Sequence, residues 1–253
     1  MPPFPARLNL YATFSGFLKA LTTHKICGAS ADDMLYLIQV HPGYTPRGPL
    51  HFGRGLYLRS GTSFNDPILT AAGEVFRLPL LVSLFDPKTA VLLPPLDREK
   101  NPRDKVTQVL HASAGKEHGV AFKFAIKVGA KTIQRVEFEW RKAVGKELEE
   151  PAHNGGSRYQ LYRLAANSST MPSSSSCSPQ DGGTGVLAGL RFEHLVSFNH
   201  LFTLELKGAG VTGELGERWT LVVVMMALGI HWLRYNGKTK TATVKVAQIF
   251  NFK

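Results

Sequence analysis

The segment 215–235, LGERWTLVVVMMALGIHWLRY, constrains the fold more than any other part of the 253-residue chain. It contains no turn signal. The run 221–228 and Ile230 leave no polar stripe on a helix. A helix that is apolar on every side is either enclosed by protein or immersed in a bilayer. Length decides between the two. The charge-free stretch 219–233 makes roughly 22 Å of helix, whereas a bilayer core needs about 30 Å. Thr220 and His231 shorten the apolar part further. A helix over about 214–235, enclosed by protein, is the expectation. Thr212 is placed to cap its start, Glu214 and Glu217 suit its positive pole, Arg234 suits its negative pole and Gly237 stops it.

The rest of the chain reads as β-structure. Glycine (24) and proline (15) are frequent and apolar runs are short, which favours strands and turns over a helical bundle. Residues 34–40, 56–60, 68–72 and 90–96 read as strands. Residues 75–85 read as an edge or bulged strand interrupted by Pro79. The stretch 41–55 is a loop, 61–67 a turn, and 97–118 a charged, exposed excursion. The clearest alternation follows. In 120–128, Val120, Phe122, Phe124, Ile126 and Val128 share one face, with Lys123 and Lys127 on the other. In 135–141, Val136, Phe138 and Trp140 oppose Arg135, Glu137, Glu139 and Arg141. Such alternation marks an antiparallel sheet with one wet face, and the short link 129–132 makes the two a hairpin. Strands continue at 158–164 and within 186–207, across a Ser/Gly/Pro-rich insertion at 166–185.

Strands with one apolar face and a helix apolar all round satisfy each other in one arrangement. That is a mainly β fold, a closed antiparallel β-barrel of about 10–12 strands around a buried apolar C-terminal helix. The expected organisation is an N-terminal basic segment at 1–31, possible disorder included, a barrel at 32–236, and a basic tail at 237–253.

The net charge is +11 and uneven, with no acidic residue before Asp32 or after Glu217. That balance attracts anionic surfaces. Cys27 and Cys177 lack any metal-ligand spacing and read as free thiols of a reducing compartment, cytoplasmic or nuclear. The acid-free start keeps mitochondrial import as a minority alternative, against which Pro2, Pro3 and Pro5 argue. The motif Gly208-Ala209-Gly210-Val211-Thr212-Gly213 matches a dinucleotide fingerprint in spelling. It lacks the acidic residue about twenty positions on that would hold a ribose, so no nucleotide or other cofactor is expected. The glycines are better read as turning the chain from barrel wall to lumen. The nine histidines show no zinc spacing, so no metal is expected, and His231 reads as a core histidine. No catalytic constellation stands out. Buried aromatics argue against single-stranded nucleic acid, which needs exposed stacking platforms.

Three stretches carry a resemblance: VEFEWR (136–141), RYQLYRL (158–164) and G-x-G-x-T-G-E-L-G-E-R-W (208–219). With LYLRSGTSFNDPILTAAG (56–73), they resemble a group of fungal proteins associated with the tubby-like C-terminal superfamily, which includes LURP-one-related proteins and phospholipid scramblases. The resemblance spans roughly 34–236. It implies a barrel of about twelve strands threaded by a hydrophobic helix, and a non-enzymatic module that binds phosphoinositides through basic wall residues. Lys123, Lys127, Arg135 and Arg141 are the nearest equivalents here. The insertion at 166–185 and the extension past the helix depart from the pattern. The expected partner is thus an anionic phospholipid or a protein, with the protein soluble or peripheral to a membrane. Two alternatives stay open: a tail-anchored protein spanning with 219–233, the kind of insertion proposed for scramblase-like helices, and an enzyme with a cryptic pocket.

Overall fold

The computed structural model describes residues 4–13, 23–41, 54–74, 87–94, 106–115, 119–128, 134–143, 157–164, 185–193 and 199–249. Twelve strands form one closed barrel: β1 (Arg7–Ala12), β2 (Thr23–Cys27), β3 (Met34–His41), β4 (Gly55–Arg59), β5 (Ile68–Glu74), β6 (Thr89–Leu93), β7 (Val106–Gly115), β8 (Gly119–Val128), β9 (Gln134–Lys142), β10 (Arg158–Arg163), β11 (Ala188–Phe192) and β12 (His200–Leu206). Each strand pairs antiparallel with its neighbours in sequence, and β12 returns to pair with β1, Leu8 opposite Leu204. Closure leaves no sheet edge unpaired.

The helix α1 (Glu217–Tyr235) runs through the lumen. Strands on all sides touch it. Trp219 packs on Phe138 of β9, and Gly229 faces Thr89 of β6 and Leu110 of β7. His231 meets His24 of β2, Phe192 of β11 and Phe202 of β12. Val222, Val223, Met225, Met226 and Ala227 are fully buried. Barrel geometry explains the fit. Twelve strands about 4.8 Å apart and tilted about 40° close with the wall about 12 Å from the axis. Packed layers ordinarily sit about 10 Å apart, so one helix lined by large side chains fills the lumen. Phe122, Phe138, Trp140 and Phe192 supply that bulk from the wall.

The helix ends differ from expectation at one terminus and match it at the other. The start is not capped by Thr212, whose hydroxyl bonds back to the Ala209 carbonyl. Gly216, at φ 83°, occupies the capping position without a side-chain bond. At the far end Gly237 adopts φ 70°. Its N–H bonds to the Arg234 carbonyl at 3.0 Å, and the Lys238 N–H bonds to the Leu233 carbonyl at 2.8 Å. This pair of bonds is the Schellman turn. It turns Lys238 back into the barrel mouth, where its ammonium meets the buried Glu74 carboxylate at 2.8 Å.

Three boundaries shift. The barrel begins at Arg7, not at residue 32, because β1 and β2 lie within the expected N-terminal segment. The stretch 97–118, read as an excursion, contains β7. The tail at 237–253 contains a second helix, α2 (Thr241–Ile249), which packs on β7 and β8 and buries Val244 and Ala247. Cys27 is a buried free thiol on β2. The expected strand at 75–85, the insertion at 166–185 and Cys177 lie outside the described residues.

Candidate functional site

The β8–β9 hairpin presents its outer face because its apolar residues are committed inward. Phe122 stands opposite Trp140, Phe124 opposite Phe138 and Ile126 opposite Val136. Phe124 and Phe138 stack with centroids 5.4 Å apart. The alternate residues must then point out: Lys123, Lys127 and Arg135 are exposed and Arg141 is partly so.

The register sorts these four cations into two groups. Lys123 stands opposite Glu139. The Lys123 ammonium is 3.3 Å from one carboxylate oxygen, and the Arg141 Nε donates to the other at 2.6 Å. Arg141 also lies over the Tyr162 ring of β10, 5.1 Å from its centroid. Glu139 is 7% exposed, so this three-residue clamp is partly shielded from water. Lys127 stands directly opposite Arg135. Neither forms an ion pair with a carboxylate among the described residues. Side chains directly opposite on a sheet lie about 5 Å apart at Cβ, where like charges repel. The clamp and the pair are four residues apart along the strand, or about 13 Å. The four cations therefore do not converge on one point.

The neighbouring strands extend the basic wall, which the sequence reading missed. Arg158 of β10 stands opposite Arg191 of β11. Arg191 is held by Glu193 at 3.2 Å, and Glu193 also lies 3.9 Å from His200. Burial lowers the pKa of His200, and Glu193 opposes that shift. Only the strand register reveals the Arg158–Arg191 pairing, because the two residues are far apart in sequence. Of the two glutamates on this face, Glu139 is the charge partner of Lys123 and Arg141, while Glu137 stands opposite Ala125.

The glycine motif at 208–213 has a steric explanation. Gly208 (φ 49°) and Gly213 (φ 79°) take conformations that L-residues avoid. Gly210 lies so close to the Leu187 carbonyl and the Trp219 ring that a Cβ there would sit 2.4 Å and 2.9 Å from them. Among the described residues, no group of three His, Cys, Asp or Glu is arranged to hold a metal. No helix of the described residues is long and apolar enough to cross a membrane.

Comparison with protein-family models, with curated proteins and with solved structures finds no match to this chain.

Proposed function

We propose that this protein is a non-enzymatic binding module that recognises anionic phospholipid headgroups through the outer wall of β8 and β9, as its resemblance to tubby-like proteins implies. One observation supports this reading above the others. Lys127 and Arg135 are held side by side with no carboxylate partner among the described residues. A like-charge pair costs the fold some free energy. A phosphate placed between the two side chains would turn that repulsion into two charge-assisted hydrogen bonds. Lys123 and Arg141 are both paired with Glu139, so they form the flank of the site rather than its centre.

The test is co-flotation with liposomes of phosphatidylcholine, with and without phosphoinositide, at 0.1 and 0.5 M salt. Binding should need the anionic lipid and weaken as salt screens it. Lys127→Glu/Arg135→Glu should abolish it. Binding to neutral vesicles that resists salt would favour insertion of the 219–233 helix instead. No binding to either vesicle would leave an adaptor for a protein partner.

A further inference from the structure

The barrel mouth where α1 exits holds two imidazoles face to edge. His24 projects inward from the start of β2, and His231 from the last turns of α1, with ring centroids 6.1 Å apart at 90°. Phe192 stacks on His231 at 6.2 Å and Phe202 leans on it at 5.8 Å. Arg234, one turn further along the helix, covers the other half of this wall, its guanidinium 4.6 Å from the Phe192 centroid. Tyr159 of β10 packs edge-on against Phe192 from the opposite side.

The titratable and charged groups facing the two histidines are few. From α1 comes Arg234 and from β10 Tyr159, whose phenol acts on Arg234. The charged residues of β2, β11 and β12 nearby, Lys25, Arg191, Glu193 and His200, belong to the outer face. There Lys25 bonds to the Ala31 carbonyl, and Glu193 pairs with Arg191 and His200. No carboxylate acts on either imidazole among the described residues. His24 Nδ1 is buried without a hydrogen-bond partner. A proton arriving here gains no counter-ion, and it meets a second imidazole and a guanidinium.

We propose that this mouth is an acid-opened closure: proton uptake by His24 and His231 releases the C-terminal end of α1 from the β2–β11–β12 side of the barrel.

The linkage has a definite sign. Burial holds His24 near pKa 4, and burial, then His24 and Arg234, hold His231 near 3, against an ordinary 6.5. Both folded-state values are depressed. The closed form is therefore fully favoured above pH 6.5 and loses ground as pH falls towards 4. Opening restores ordinary imidazoles. From pH 7 to 5 the ratio of open to closed should rise about 25-fold per histidine, or about 600-fold for both.

Hydrogen exchange read by mass spectrometry, corrected for the intrinsic pH dependence of amide exchange, tests this on the full chain. Peptides covering 229–237 should exchange several hundredfold faster at pH 5 than at pH 7, while peptides of β8 and β9 stay protected. In His24→Phe/His231→Phe, whose rings suit an aromatic setting, the acceleration should vanish. Equal acceleration of all peptides, an unchanged rate in the wild type, or full acceleration in the double variant would each overturn the proposal. If the double variant does not fold, NMR titration of the wild-type imidazole protons decides. Both rings staying neutral below pH 5 supports the closure, and either one titrating near 6.5 in the closed barrel refutes it.

Discussion

Lys238→Met tests whether the chain after α1 is latched into the barrel. Lys238 and Glu74 are 164 residues apart in sequence, and their side chains are only 4% and 7% exposed. Removing the lysine leaves a buried carboxylate with Arg54 at 4.0 Å as partial compensation, and that arginine is half exposed. Breaking a buried pair from one side ordinarily costs about 3–5 kcal/mol. Arg54 should hold the loss to the lower end, about 3 kcal/mol. In urea that corresponds to a midpoint lowered by about 1 M for a chain of this size. The double variant Glu74→Gln/Lys238→Met should recover most of the loss, because a neutral pair of similar shape leaves no stranded charge. Lys240→Met, on an exposed residue of the same segment, should stay within about 0.5 kcal/mol of wild type. The reasoning fails if Lys238→Met costs under about 1 kcal/mol, or if the double variant is no more stable than the single one.

Two further substitutions probe the lumen and the wall. Met226→Lys puts a charge at a fully buried position of α1, with a cost of several kcal/mol. The variant should lose its native circular dichroism and partition into the insoluble fraction, and a folded variant of near wild-type stability would show that α1 does not fill the barrel. Glu139→Gln frees Lys123 and Arg141 from their shared carboxylate. Stability should fall by about 1 kcal/mol while flotation with anionic liposomes strengthens, and weakened flotation would mean that the clamp, rather than Lys127 and Arg135, presents the headgroup site.

The central helix and the β8–β9 hairpin were legible because their signals are local. Nine apolar residues between 221 and 230 exclude a polar face without any knowledge of the partner strands. Val120 to Val128 and Val136 to Trp140 alternate cleanly. What was missed depended on distant contacts. Strand β1 has two inward leucines, Leu8 and Leu10, and gains its place by pairing with β12, where Asn9 accepts a bond from the Thr203 hydroxyl at 2.9 Å across 194 residues. Nothing within RLNLYA announces that partner. Strand β7 hides its pattern for a different reason. Its inner positions Ala112 and Ala114 are small and pack against the core where α2 lies over β7 and β8, so the bulky alternation that marks a wall strand is missing. The site was legible as a set of residue types on two faces. The pairing of Lys127 with Arg135, and of Lys123 with Glu139, follows from a register set by the turn.

The closed wall also narrows where recognition can occur. An open sheet could take a peptide along its edge, but β1 pairs with β12 and the described strands offer no edge. A hollow barrel could take a ligand inside, but α1 occupies the axis from Trp219 to Leu233. The outward residues and the two rims remain. On that outer surface the register places cation opposite cation twice, Lys127 with Arg135 and Arg158 with Arg191. Packing does not require this, since any polar residue satisfies an outward position. The Lys127–Arg135 pairing costs stability that a serine or glutamine at either position would recover, whereas Arg191 is held by Glu193. With a net charge of +11 already favouring approach by anions, the Lys127–Arg135 pairing is what the proposed headgroup site would use.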